Sequence, residues 1–340
     1  MNTKSIFYKK GLCGITNMGN TCFMNSIIQC INSNRDLALY FINNEHKKIP
    51  DKEMLENDLV EEWNLVSKGL YERNAVITPE SFHKCIQQLS VKKGNSYFTG
   101  YDQNDSQEFL QFLLENLHIG LSREVNMNIN GNPKNNLDKM AIKALTNWKQ
   151  FFKDDYSVII DLYYGQLYSK ITTNEDSTFI SEAFDPISNI SLEIPDKENV
   201  TIYDCFDKFT KEESIDFKDS NVINDTKQYQ KSLSVWRFPD YLVIFFKRFT
   251  NTGQKINKII DFPINNLNLN KYCVGYEKEE CVYDLYAVSN HGGNSRGGHY
   301  WAYCKNEDDS WYKFNDKYVT TLDESNIVSD NAYCLFYKKK

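Results

Sequence analysis

GNTCFMNSIIQCI, residues 19–31, places a cysteine between small polar residues and the first apolar-periodic run of the chain. Phe23, Ile27, Ile28 and Ile31 recur at helical spacing, and Asn20 or Thr21 is positioned to cap the helix they define. Cys22 thus sits at the mouth of a helix, and two readings stay open there. A buried cysteine is commonly an inert core thiol. A helix N-terminus, with its unsatisfied N–H groups and dipole, also favours the thiolate, the form in which cysteine is a nucleophile.

The residues C-terminal to this stretch set the fold class. Leu55, Leu59, Trp63 and Val66 mark a second amphipathic helix. Thr78-Pro79-Glu80 opens a third, with Pro at the first helical position and Phe82, Ile86 and Leu89 on its apolar face. Asp105–Leu117 predicts a fourth, and Ala141–Phe152 a fifth. Between these two lies Ser122–Leu137, a polar stretch with Gly-Asn-Pro that reads as a surface loop. From Tyr156 the pattern turns to strands, beginning with SVIIDLYYGQLYSKI (157–171) and STFISEAFDPISNISLEIP (177–195). Lys211–Lys231 is polar, and reads as two weak strands with a loop, an exposed projection or a partly disordered region. From Leu233 onward the chain is strongly β. Helices first and strands second predict an α+β fold with an antiparallel sheet.

The chain has 340 residues and a net charge of −7, so a nucleic-acid surface is not expected and a basic protein partner suits it better. No run of about 18 apolar residues predicts a membrane span, and MNTKSIFYKKG (1–11) lacks the apolar region of a secretory signal. Nine cysteines without a C-x-x-C pair point to free thiols in a reducing compartment, the cytoplasm or nucleus.

Three further stretches give Cys22 partners. In GGHYWAY (297–303), His299 opens a strand pattern beside a glycine-dense segment that reads as a mobile flap, able to present a ring nitrogen to a cleft. His291, in the same segment, is read as a structural hydrogen-bonder or simply exposed. WYKFND (311–316) would return antiparallel to the His299 strand, bringing Asn315 or Asp316 to the imidazole and fixing its tautomer. Asn17, five residues before the cysteine, can donate an amide hydrogen to a developing oxyanion. Each has an ordinary structural reading; together they form a thiol-hydrolase set.

These stretches resemble the ubiquitin-specific protease family of deubiquitinases. GLCGITNMGNTCFMNSIIQCI (11–31) is similar to its Cys box, and YDQNDSQEFLQFLLENLH (101–118) to its glutamine-aspartate box. FPDYLVIFFKRF (238–249) with KINKIIDFPINNLNL (255–269) resembles the palm region. YDLYAVSNHGGNSRGGHYWAYCKN (283–306) and WYKFND resemble the His box and its end. WKQFFKDDYSVIIDLYYGQLYSKI (148–171) resembles the approach to the fingers. The order is the family's, over roughly residues 11–337.

The resemblance implies a papain-like cysteine protease fold with helical thumb (about 11–155), fingers with palm strands (about 156–235) and palm (about 236–340) in one catalytic domain. It implies Cys22 as nucleophile, His299 as general base and acid, Asn315 as third member, Asp316 as supporting residue and Asn17 at the oxyanion hole. Asp105, Gln103, Gly297, Gly298 and Tyr300 would contact the extended Leu-Arg-Gly-Gly tail of ubiquitin, with SNHGGNSRGG as a loop lying over it. Asn104 and Ser106 depart mildly from the family's box. The implied partners are ubiquitin and ubiquitinated proteins, with a monomer expected. Many members bind zinc through two C-x-x-C pairs at the fingertips. Here SKITTNEDSTF (169–179) and SIDFKDSNV (214–222) carry no cysteine, so no metal and no cofactor are expected. The alternatives are a catalytically inactive ubiquitin-binding scaffold, a papain-like protease of other specificity, or a protease for another ubiquitin-like modifier.

Overall fold

A computed structural model describes residues 7–173, 178–215, 228–294 and 297–340. Among the described residues, the helices of the first half include α1 (Cys22–Asn32), α2 (Arg35–Ile42), α3 (Leu55–Glu72), α4 (Glu80–Lys92), α5 (Ser106–Leu121), α6 (Asn136–Phe152) and α7 (Val158–Tyr163). An eighth, α8 (Ile202–Phe209), lies among the strands.

Every residue of α1 is buried, polar ones included. A helix enclosed on all sides must pair its polar side chains internally. Asn25 donates to the Asp316 carboxylate at 2.8 Å, and Ser26 and Ser289 share a hydrogen bond of 2.6 Å. Gln29 donates to the Cys13 carbonyl at 2.8 Å, and Asn32 accepts from Ser67 at 2.7 Å. These bonds pin α1 to the N-terminal loop, the sheet and α3.

Two helical boundaries differ from the sequence pattern. Pro79 is the N-cap of α4 rather than its first helical residue; its ψ of 62° is non-helical, and its carbonyl accepts the first turn's bond from His83. α6 begins at Asn136, where Asn135 accepts from the Asp138 amide at 2.8 Å. One element differs in kind. Val158–Tyr163, expected as strand, is helix α7. Its β-branched run favours a strand, but Ile159, Ile160 and Tyr163 are buried at helical spacing, and that burial overrides propensity.

The strands, in chain order, are β1 (Gly14–Ile15), β2 (Val76–Ile77), β3 (Gly165–Thr173), β4 (Phe179–Ile187), β5 (Ile190–Glu193), β6 (Val200–Thr201), β7 (Glu213–Ile215), β8 (Tyr229–Arg237), β9 (Tyr241–Lys247), β10 (Ile260–Asp261), β11 (Leu267–Asn268), β12 (Val282–Asn294), β13 (Gly297–Lys305), β14 (Trp311–Asn315), β15 (Tyr318–Leu322) and β16 (Ala332–Lys339). The main sheet runs β15-β14-β13-β12-β16-β9-β5, with β11 also paired to β12. It is antiparallel except for β5, which joins β9 in parallel, so the expected purely antiparallel sheet has one exception. The short pairs β1–β2 and β6–β10 are parallel too.

Strand β9 shows how the sheet is packed. Tyr241, Val243 and Phe245 enter the core shared with α1 and α5, while Leu242, Ile244 and Phe246 enter a second core with α8 on the opposite face. A strand covered on both faces reads as a continuous apolar run. A second sheet, β4-β3-β8-β7, projects from the main one as an antiparallel ladder. The uncertain stretch 211–231 contributes β7 and the start of β8; residues 216–227 lie outside the described residues, as do 174–177.

Candidate active site

The site is assembled where the N-terminus of α1 meets the His299 end of β13 and the hairpin that closes β14. Thr21 is the N-cap residue of α1, yet its side chain makes no cap hydrogen bond. Its hydroxyl accepts instead from the Met18 amide at 3.0 Å. The first turn under Cys22 is therefore left without a side-chain cap, as an anion-binding helix end requires. The loop into it turns through two left-handed residues, Gly19 (φ +104°) and Asn20 (φ +56°). A side chain at Gly19 would also meet the Tyr101 ring at 3.0 Å. Asn20 donates to the Tyr101 carbonyl at 2.8 Å, tying this loop to the approach of α5.

His299 contacts Asn315 through Nε2, 2.6 Å from Asn315 Oδ1. That leaves Nδ1 for Cys22, the neighbour that raises the imidazole pKa most. Cys22 itself is 4% exposed. The His299 pKa is pushed up to about 9: the hydrogen bond to Cys22 raises it most, burial opposes, and the Asn315 bond and the charges of Cys22 and Asp316 raise it further. The charged imidazolium is thus the ordinary form near neutral pH. Of the two candidates in WYKFND, Asn315 is the one on the imidazole.

Asp316 does something else. It sits in the left-handed region (φ +51°) where the β14–β15 hairpin turns. Its carboxylate accepts from Asn25 of α1 (2.8 Å) and from Asn17 Nδ2 (3.1 Å), and its carbonyl accepts from Ile15 N–H (3.0 Å). Asn17 Oδ1 in turn accepts from the Gly19 and Thr21 amides, each at 3.1 Å. Both ends of the Asn17 amide are thereby assigned, and its orientation is fixed. Sequence reasoning did not find Asn25. Its only signal is a polar residue one turn beyond Cys22, one of four in α1.

The expected substrate-contact residues fall into two groups. Gln103 lies across the cleft from β13: its Oε1 accepts from Gly298 N–H at 2.9 Å and its Nε2 donates to the Gly298 carbonyl at 3.1 Å. Gly297 lies in the same corner, 3.8 Å from Gln103 as measured from an added Cβ. Asp105 and Tyr300 are committed to the scaffold. The Asp105 carboxylate caps α5, accepting from Gln107 N–H at 2.6 Å, and also accepts from the Tyr333 hydroxyl at 2.6 Å. Tyr300 points to the opposite face of β13 from His299 and packs, buried, against His291 and Tyr333.

The segment read as a flap is a hairpin ladder: β12 pairs with β13 out to Asn294↔Gly297, with residues 295–296 outside the described residues. His291 is buried beneath it, not exposed. Burial, with Lys255 and His299 nearby, lowers its pKa to about 4 and keeps it neutral.

Comparison with known proteins places this geometry. The family model for ubiquitin carboxyl-terminal hydrolase matches residues 13–337. Human ubiquitin carboxyl-terminal hydrolase 2 is 36% identical over 352 residues, covering 99% of this chain and 56% of the relative. Human ubiquitin carboxyl-terminal hydrolase 21 is 30% identical, covering 96% of this chain and 61% of the relative. The chain thus spans little more than half the length of these curated relatives. Among solved structures, a SAGA DUB module of Ubp8, Sgf11, Sus1 and Sgf73 bound to monoubiquitin aligns with a TM-score of 0.76 at 24% identity, covering all of this chain and 70% of that one. The Ubp8-Sgf11-Sgf73-Sus1 module aligns at 0.69 and 26% identity, covering 98% and 68%. The family-model match over residues 13–337 and the 36% identity to the human relative across nearly the whole chain show that this chain belongs to the ubiquitin carboxyl-terminal hydrolase family.

Proposed function

We propose that this chain is a thiol-dependent deubiquitinase that hydrolyses the peptide or isopeptide bond after the C-terminal glycine of ubiquitin. The observation that carries this reading is the Cys22–His299–Asn315 alignment, with Asn17 locked beside it by Asp316. The Cys22 thiolate attacks the terminal glycine carbonyl. The oxyanion accepts the second Nδ2 hydrogen of Asn17, which Asp316 does not use, and a backbone N–H at the uncapped start of α1. His299 gives its proton to the departing lysine amine, leaving a Cys22 thioester. A water, deprotonated by the now neutral His299, attacks that thioester, releases the ubiquitin carboxylate and restores the thiolate–imidazolium pair.

The tail would reach Cys22 along the free edge of β13. Register between β13 and β14 ends at Ala302↔Phe314, so among the described residues the Gly297–Tyr300 edge has no strand on that side and can pair with an extended peptide. Gln103 occupies that edge here. Nine unpaired cysteines suit a reducing compartment, cytoplasm or nucleus, in which a catalytic thiol stays reduced. A monomer is the working state in this reading, with ubiquitin and ubiquitinated proteins as partners.

The test is a ubiquitin carrying a C-terminal electrophile, alongside ubiquitin with a fluorogenic leaving group. Labelling at Cys22 with turnover lost in Cys22→Ala is expected. Binding without labelling would instead mean a ubiquitin-binding scaffold. Labelling only by a different Gly-Gly-tailed modifier would reassign the substrate and keep the chemistry.

A further inference from the structure

The sheet face that carries His299 also carries a residue that thioester chemistry at Cys22 does not use. Residues 299, 301 and 303 alternate onto one face of β13, and Tyr303 pairs with Lys313 across to β14. Lys313 and Asn315 therefore share that face as the neighbouring row. Trp301 stands at the centre of this group, between His299 and Tyr303. Its ring lies 6.2 Å from the His299 ring at 24°, a stacked arrangement. The Lys313 ammonium lies over the same indole, 5.1 Å from its centroid. Since Lys313 is level with Tyr303, it approaches from the side away from His299, so the indole separates two cations.

The surroundings make room for this ring. Gly292 is directly opposite His299 in β12 and Asn290 opposite Trp301. An added Cβ at Gly292 would come within 3.1 and 3.2 Å of Cζ3 and Cη2 of the indole, so the ring would have to give by a few tenths of an ångström for any side chain there. Hydrogen bonding does not explain its place: Nε1 is buried and has no acceptor among the described residues. An orphaned buried donor costs roughly 1–3 kcal/mol, and the ring sits there in spite of that cost. What it supplies is a flat π surface against the imidazole.

We propose that Trp301 is a positioning residue for His299: its ring holds the imidazole in the plane that meets both Cys22 and Asn315, keeps water from the Nε2···Oδ1 hydrogen bond, and screens the imidazolium from Lys313. This role rests on the deubiquitinase reading only for its turnover measurements. The charged groups around the His299 ring are Cys22 from α1, Asp316 from the hairpin, and Lys313 from β14 through the indole, while His291 from β12 lies behind the strand on the Tyr300 face. Cys22 and Asp316 favour the imidazolium; His291 stays neutral; Lys313 disfavours it. Loosening the ring weakens the Cys22 and Asn315 bonds and exposes His299 to Lys313. All three changes lower the pH at which the imidazolium loses its proton; relief of burial acts the other way, and burial ranks below the Cys22 interaction among the causes.

The experiment compares Trp301→Phe, Trp301→Leu and Trp301→Ala with the parent. It measures kcat and KM for ubiquitin with a fluorogenic leaving group from pH 6 to above the His299 transition, and the rate of Cys22 alkylation by iodoacetamide over the same range. Thermal melting is recorded for each variant. The alkylation profile reads the Cys22–His299 pair without any ubiquitin. Trp301→Phe should keep the parent's profile. Leu and Ala should lower kcat about tenfold, a small part of what general acid–base catalysis supplies, with KM nearly unchanged, the alkaline limb of turnover moved to lower pH, and alkylation slowed near neutral pH because a less well paired thiolate is less populated. Should Ala fail to fold, Leu fills the volume without a flat ring and decides alone. A folded Leu variant with the parent's alkaline limb and kcat would overturn the proposal and leave Trp301 as core packing. A parent that alkylates with the expected profile yet turns over no ubiquitin would instead remove the deubiquitinase reading and leave this one to the alkylation data.

Discussion

Asn17 and Asp316 stand 299 positions apart in the chain and meet as an amide–carboxylate hydrogen bond of 3.1 Å. Asp316 thereby aims the Asn17 amide, while Asn315 next to it aims His299. Asn17→Ala should cut kcat by about 10²–10³ with KM little changed, the usual cost of losing one oxyanion donor. Asp316→Asn tolerates the same left-handed backbone but offers one acceptor where the carboxylate offers two. It should lower kcat by about tenfold or more, as misorientation of a donor does, and move the His299 alkaline limb a little to lower pH, because the Asp316 charge is the last of the causes that raise it. Steady-state kinetics at several pH values check both. A fully active Asp316→Asn enzyme would show that Asn17 holds its pose without the carboxylate.

Gly298→Ala should be far more damaging than its size suggests. The new methyl would lie 2.3 Å from His291 Nε2 and 2.6 Å from the Gly292 carbonyl oxygen. Backbone on the far side cannot move out of the way cheaply, so β13 must shift, and His299 is the next residue. Overpacking of this kind costs about 1–3 kcal/mol of stability. A shift of about 1 Å at the reacting groups costs about a hundredfold in rate. Melting temperature and turnover measured together separate the two effects. Normal kcat in Gly298→Ala would mean that the hairpin yields without moving His299.

The rate should depend on pH through His299. Its pKa is raised from the usual imidazole value to about 9, so the protonated form needed by the leaving amine persists through neutral pH and is lost above about 9. The kcat/KM profile should therefore hold through about pH 8 and fall on an alkaline limb near that pKa. Stability follows the same sign: a raised pKa contributes stability that is fully present below the unfolded imidazole value of about 6.5 and is lost as pH rises through about 9. A limb near 6.5 in the folded enzyme would remove the Cys22–His299 pairing inferred from the structure.

His291 acts in the opposite direction. Its pKa is lowered to about 4, so between about pH 6.5 and 4 the unfolded chain binds a proton that the folded chain refuses. Folding stability should fall as pH drops through that window. Replacing His291 by Asn should flatten the fall, since Asn does not titrate. His46, His83 and His118 are also lowered by burial and contribute equally to parent and variant. Denaturant melts of both at pH 7 and pH 5 give the comparison; identical slopes would place His291 in solvent contact in solution.

The legible parts of this chain are those written in local pattern. Phe23, Ile27, Ile28 and Ile31 gave α1, and the apolar run 241–246 was read within a strongly β region, because periodicity and burial are the same signal; that both faces are covered came from the packing. The β14 hairpin was legible because its turn residues are adjacent to the strand they end. Helix α8 was missed although Thr201 and Asp204 form a reciprocal capping box, a start signal present in the sequence. Helix α7 was misread because Val-Ile-Ile has strand propensity and only the packing of Tyr163 reveals the helical spacing. The site's supporting bonds were illegible for a different reason. Asn25–Asp316, Gln103–Gly298 and Trp301–Lys313 are made by common residue types across tertiary contacts, and nothing local distinguishes them from solvated neighbours.

The second sheet yields the last prediction. β3 pairs with β4 from Gly165↔Ile187 to Thr172↔Phe179 and with β8 from Gln166↔Arg237 to Thr173↔Tyr229, so its central strand has backbone partners along both edges. Tyr168 and Phe184 stack at 5.0 Å on it, and Phe184 meets Trp236 edge-on at 5.4 Å against α6. Structural zinc sites are built from Cys and His, and residues 169–179 and 214–222 offer neither. The expectation is that backbone pairing and this aromatic cluster hold the sheet. Prolonged treatment with EDTA or phenanthroline should leave the melting temperature and ubiquitin turnover unchanged, whereas Phe184→Ala should lower stability by about 3–5 kcal/mol and weaken ubiquitin binding through KM more than kcat. A chelator-induced loss restored by zinc would refute a metal-independent second sheet. An unchanged KM in a destabilised Phe184→Ala variant would show that this sheet does not hold the ubiquitin globule.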